Sequence, residues 1–140
     1  MPLTNYPFTL YNGIYRPTLQ IRIVNPHTGL SQRTYGLIDT GADECAVPAS
    51  YAPLLGHDLK KRGMKRVNTG NGIAIAYVHT TRFDILDPLT GAVAYTINDT
   101  PIDFLANLHL VLLGVKSFLN NFVLTVDYPN KSFSLLLPNG

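Results

Sequence analysis

Apolar residues in this chain come in short runs rich in Val, Ile, Leu, Tyr and Thr, and each run is cut by Gly, Pro, Asn or Asp. That punctuation suits strands and turns. From Thr18 to Val24 the sequence TLQIRIV alternates apolar and polar, as a half-buried strand does. Asn25-Pro26-His27-Thr28-Gly29 reads as a turn, and Ser31 to Ile38 as the returning strand. Ile73 to Leu86 is one long strand-like run, entered through Thr69-Gly70-Asn71-Gly72. A turn at Asp87-Pro88-Leu89-Thr90-Gly91 leads to a strand over Ala92 to Ile97. FVLTVD and SFSLLL flank Tyr128-Pro129-Asn130-Lys131 as a hairpin. Only Val115 to Asn121, after Gly114, invites a helix, and it would be about two turns long.

No linker, repeat or low-complexity tract divides the chain, so residues 1–140 are expected to form a single all-β domain. Charged residues make up only 14%, which leaves apolar surface for a partner to cover. A formal charge of +2 is too small to imply nucleic acid. The densest basic cluster is Lys60, Lys61, Arg62, Lys65 and Arg66, for which a solvated loop or strand end is favoured over a phosphate-binding patch. With one cysteine, Cys45, there is no internal disulfide. The opening MPLTNYPFTLYNG carries neither the basic leader nor the apolar run of a signal peptide. No stretch approaches the ~20 apolar residues of a membrane helix. The expectation is a soluble, cytoplasmic protein, bound to neither membrane nor nucleic acid.

Chemistry concentrates in Gly36-Leu37-Ile38-Asp39-Thr40-Gly41-Ala42-Asp43. An apolar strand delivers an aspartate at its end, and a glycine lets the backbone turn. Loop amides and the Thr40 hydroxyl are available to hold that carboxylate. Paired with a second carboxylate, it would share a proton, because two adjacent charges cannot both form easily. One member then activates water as general base while the other polarises a carbonyl as general acid. That chemistry needs no metal, cofactor or covalent intermediate. The plainer reading of Asp-Thr-Gly is an ordinary turn.

LIDTGADECAV resembles the active-site loop of retropepsins, the aspartic proteases of retroviruses and their cellular relatives. The resemblance spreads over most of the chain. FTLYNGIYRPTLQIRI is similar to the family's opening strand pair, NTGNGIAIAYV to its flap hairpin, and LVLLGVKSFLNNFVLTVD to its second half. It implies a closed, mostly antiparallel β-barrel with one short helix near the C-terminus. By the same resemblance Asp39 is the catalytic carboxylate, Thr40 braces the paired loops between subunits, and Gly41 offers its backbone to the substrate. Asp43 would sit beside the cleft. Asn71 and Gly72 would lie at the flap tip, with Ile73 next to them, closing over an extended peptide. The chemistry needs two aspartates and the chain has one such loop, since Asp99-Thr100 is followed by Pro101. A two-fold homodimer is therefore expected, with a peptide or protein as substrate.

Three departures from the family pattern matter. Retroviral members commonly place an arginine directly after the glycine matching Gly114, where this chain has Val115 and then Lys116. Asp43 is expected to rely instead on the partner subunit's Arg16. The chain also continues into a further hairpin, Tyr128 to Leu137, as in cellular relatives, and its flap has fewer glycines than the viral one. Ala42 stands where pepsin-like relatives carry a hydroxyl residue, which implies a less acidic optimum than pepsin's.

Other residues invite weaker readings. Cys45 is expected to be a small core residue and not a nucleophile. His27, His57, His79 and His109 lack metal-ligand spacing and suit surface or turn positions. Asp84, Asp87 and Asp103 suit strand ends or turns. The alternative to a peptidase is a non-catalytic dimeric binding module on the same fold.

Overall fold

The computed structural model describes residues 3–69 and 72–138. In chain order the elements are β1 (Leu3–Pro7), β2 (Thr9–Tyr11), β3 (Ile14–Arg16), β4 (Thr18–Val24), β5 (Ser31–Ile38), β6 (Cys45–Pro48) and α1 (Tyr51–Leu54). They continue with β7 (Met64–Thr69), β8 (Gly72–Leu86), β9 (Val93–Leu105), β10 (Val111–Leu113), the 3₁₀ turn η1 (Leu119–Asn121), β11 (Val123–Asp127) and β12 (Ser132–Leu136).

Strand β4 shows how the pattern becomes structure. Leu19, Ile21 and Ile23 are fully buried on one face, while Gln20 and Arg22 stay partly exposed on the other. The strand pairs with β5 on one edge and with β8 on the other. Between β4 and β5, Asn25 Oδ1 accepts the His27 amide at 2.9 Å, and Gly29 takes the left-handed conformation at φ +75°. Asn25 Nδ2 also donates to the Leu55 carbonyl at 2.8 Å, anchoring the loop that follows α1.

The long strand β8 organises the sheet. Its first half pairs with β7 and its second half with β4, while β9 runs along the opposite edge. The changeover coincides with a register shift between Thr81 and Phe83, where Thr81 Oγ1 donates to the Val24 carbonyl at 2.8 Å. Pairing proceeds in the order β4-β5-β10-β6-β9-β8 and returns from β8 to β4. Only β5–β10 and β6–β9 are parallel among the described pairs. A separate sheet places β12 between β1 and β11, so the C-terminal hairpin is tied to the chain's own first strand.

The buried side chains form one contiguous cluster in which Phe83, Phe104, Phe118 and Phe133 are the largest of the fully buried ones. Phe83 and Phe118 meet edge to face at 5.4 Å. Across β4 and β8, Arg22 and Arg82 both reach Oδ2 of buried Asp84, at 2.8 and 3.1 Å, and Thr96 donates to its Oδ1 at 2.8 Å. Asp84 thus lies two residues before the end of β8, but buried and ion-paired in the core.

The helix expected over Val115 to Asn121 is not α-helical. Ser117 sits at φ +64°, which an α-helix does not admit, so the segment makes turns and ends in the 3₁₀ turn η1. It still buries Phe118 and Leu119 in the core. Among the described residues the one α-helical turn, α1, lies instead at Tyr51–Leu54, where the sequence pattern predicts no helix.

Candidate active site

Two parallel strands, β5 and β10, build the site by ending side by side. Gly36, Leu37 and Ile38 pair with Val111, Leu112 and Leu113. Gly36 permits this approach, because a Cβ there would lie 2.7 Å from the Leu113 side chain. Asp39 follows directly, and its amide donates to the Leu113 carbonyl at 3.1 Å. On the other side, the Ile38 amide donates to the Pro17 carbonyl at 2.9 Å.

The loop after Asp39 is strapped to the loop after β10. Val115 and Lys116 amides donate to the carbonyls of Ala42 (2.9 Å) and Asp43 (2.8 Å). The Gly114 amide points to Cys45 Sγ at 3.4 Å. A Cβ on Gly114 would lie 2.4 Å from the Glu44 carbonyl oxygen, so only glycine fits this crossing. Within the loop, the Gly41 amide donates to Asp39 Oδ1 at 3.0 Å and the Ala42 amide to the Asp39 carbonyl at 3.2 Å. A loop amide thus holds the carboxylate as expected. The Thr40 hydroxyl does not: it is exposed, and among the described residues it makes no hydrogen bond.

Asp39 is half-buried and faces a cleft of ≈ 630 Å³. Gly41 and Asp43 line the same cleft, as does β7 from Lys65 to Asn68. Strands β7 and β8 form an antiparallel hairpin with Thr69 opposite Gly72. Gly72 and exposed Ile73 stand at the start of its second strand and are not among the described residues lining the cleft. Asn71 lies outside the described residues. Arg16 ends β3, beside Pro17 and away from the cleft lining, and its Nε is buried without a partner among the described residues.

Residues that sequence reasoning missed also line the cleft. Asp103 of β9 is nearly buried and pairs with Lys65 Nζ at 3.1 Å, and Glu44 faces Lys116 at 3.9 Å. Their proximity depends on the parallel β6–β9 pairing and on the hairpin, which no local pattern signals. Cys45 is buried in the core, and burial pushes its thiol up to about 12, so no thiolate is at hand for attack. Among the described residues no group of three or more His, Cys, Asp or Glu is arranged to hold a metal, and no helix is long and apolar enough to cross a membrane.

A carboxylate at a strand end and a hairpin beside its cleft are features that the sequence predicts together; the glycine crossing at Gly114 is added by the structure. No protein-family model matches the sequence, and comparison with curated proteins finds no match. Among solved structures, a crystal structure of a retropepsin-like aspartic protease from Rickettsia conorii superposes with a TM-score of 0.57. The match covers 90% of this chain and 96% of that one, at 22% identity. The fold is the retropepsin-like one. Within the retropepsin-like fold, the loop carrying Asp39 and strand β7 of the hairpin line one cleft. The all-β, largely antiparallel expectation holds, with the difference in helical segments described above.

Proposed function

We propose that this chain is an aspartic endopeptidase whose active unit is a homodimer, with one Asp39 from each subunit. The observation that carries the reading is Asp39 itself: half-buried, registered by Leu113, held by the Gly41 amide and open to a cleft large enough for a peptide segment. The ring of pairings through β4, β5, β10, β6, β9 and β8 supports reading the sheet as a closed barrel, and the contiguous core supports a single domain over residues 1–140.

On this reading the second carboxylate comes from another copy. Asp99 lies inside β9, remote in register from any strand-end loop, and Asp103 is engaged by Lys65. In a two-fold dimer, exposed Thr40 and the Asp39 loop meet their counterparts on the axis. Two carboxylates so close retain one proton between them. The ionised Asp39 takes a proton from water as its oxygen attacks the scissile carbonyl carbon. The protonated Asp39 gives its proton to the carbonyl oxygen. The resulting gem-diol collapses with cleavage of the C–N bond, and a carboxyl group passes a proton to the leaving nitrogen. The hairpin would cover the peptide and exclude water, with Gly41, Asp43 and the hairpin residues Asn71, Gly72 and Ile73 contacting it.

A dimeric binding module is the second reading, favoured by Val115 standing where retroviral members carry an arginine and by the long, 3.9 Å Lys116–Glu44 contact beside it. Cleavage of an unbiased peptide library from pH 3 to 7, wild type against Asp39→Asn, separates the two. Cuts that vanish in the variant support the peptidase. Cuts that persist remove Asp39 from the mechanism, and a dimer that makes no cuts supports the binding module.

A further inference from the structure

A second, smaller cleft of ≈ 240 Å³ opens where the turn after β4, the 57–62 segment and β8 meet. Its walls carry His27, His57, His79, Lys61 and Arg62, against the single carboxylate of Asp58. No salt bridge among the described residues joins Asp58 to any of them. Lys61 and Arg62 of the basic cluster and the histidines His27, His57 and His79, far apart in sequence, are brought to one place by the fold.

His57 and His79 pack at a tilt of 59° with ring centroids 4.7 Å apart, and both pack against the Phe104 ring of β9. His79 is 2% exposed, so it is neither a surface nor a turn residue. Its Nε2 lies 2.9 Å from the Leu59 carbonyl, which can only accept, so Nε2 carries the proton. His79 Nδ1 and His57 Nε2 are both buried and both lack a partner among the described residues. Two buried, unpaired imidazole nitrogens in a basic cleft call for an explanation.

A cation is a poor answer, because Lys61 and Arg62 already crowd the cleft with positive charge. An oxyanion answers every feature. It accepts from His57 Nε2–H, draws a second proton onto His79 at Nδ1, where a ring protonated at Nε2 otherwise has only a lone pair, and offsets the charge on Lys61 and Arg62. Burial, His79, Arg62 and His27 together hold His57 down to about 4 in the empty cleft, and a bound anion opposes the three charge effects. Lys61 and Asp58 from its own segment, His27 from the turn and His79 from β8 are the other ionisable groups lining that cleft. We propose that this cleft binds a phosphate-type oxyanion through His57, His79, Lys61 and Arg62. The 57–62 segment leads into β7 and His79 belongs to β8, so the anion sits at the base of the hairpin that faces Asp39. The site stands whether or not the chain is a peptidase.

The test follows histidine ring signals by NMR at pH 6.5 while inorganic phosphate replaces chloride at constant ionic strength. His57 and His79 should shift saturably, and the titration midpoint of His57 should rise by about one pH unit or more. Arg62→Ala, at an exposed position, should weaken phosphate binding about fivefold or more without changing the melting temperature. Tighter binding of a phosphoserine peptide than of inorganic phosphate would assign the site to a phosphorylated protein, and the reverse order to the free ion. Shifts equal to those in chloride, undiminished binding by Arg62→Ala, or a saturable response to Zn²⁺ in place of phosphate would each overturn the proposal.

Discussion

The amide of Asp39 donates to the carbonyl of Leu113 at 3.1 Å, so the position of the candidate carboxylate is set by the end of a strand more than seventy residues away in sequence. Gly114 follows Leu113 and crosses behind the loop, with the Glu44 carbonyl where a Cβ would be. Gly114→Ala therefore has to displace backbone and not merely a flexible side chain. We expect it to cost about 2–3 kcal/mol, with peptidase activity lost in whatever fraction stays folded. Urea denaturation and a cleavage assay on the same samples check both halves.

Arg16 bears on the dimer. Its Nε is buried without a partner among the described residues, while Asp43 is exposed at the cleft and makes no ion pair there. If the two meet across the two-fold axis, Arg16→Ala should raise the dimer dissociation constant by about tenfold or more. Sedimentation across a concentration series reads this directly. An unchanged constant would separate Arg16 from the interface.

Asp84 should dominate the acid limb of stability. Burial raises its carboxyl, but hydrogen bonds from Arg22, Thr96 and Arg82 together outweigh that and hold it below the ordinary carboxylate value. A depressed folded value means the stabilisation is present above the unfolded value near ~3.9 and is lost as pH falls through the folded one. Asp84→Asn should cost about 1–3 kcal/mol at pH 7, and the gap from wild type should narrow in strong acid.

His57 predicts a second pH effect at milder acidity. Its value, lowered to about 4 from the ordinary 6.5, favours the neutral ring in the folded state. The associated stability is present above 6.5 and drains away as pH falls toward about 4. In phosphate-free buffer, melting temperature should fall over that window for wild type and less steeply for His57→Gln. A parallel decline in both would assign the loss to other groups.

Where neighbours in sequence are neighbours in space, the chain could be read directly. Alternation placed β4 and β5 at Thr18–Val24 and Ser31–Ile38, and an apolar run-up placed Asp39 at a strand end. The sequence predicts a strand only as far as Ile97, and Asn98-Asp99-Thr100-Pro101 has turn-favouring residues, yet β9 continues to Leu105. Pairing with β8 overrides those propensities, and Pro101 lies one residue before the β6 ladder begins. The left-handed Ser117 had no local signal either, since glycine or asparagine is the usual marker. The cleft's ion pair, Lys65 with Asp103, and the packed rings of His57 and His79 are separated by 38 and 22 positions, so only the folded topology could unite them.

The account rests on two Asp39 residues sharing one reaction, and subunit mixing tests that most directly. Wild type and Asp39→Asn are combined in equal amounts, allowed to exchange subunits at fixed total concentration, and assayed on one cleaved peptide. A site shared across the two-fold axis predicts activity of about one quarter of the all-wild-type sample, because only dimers with two aspartates turn over. Activity of about one half would mean that each subunit works alone, contradicting the shared site.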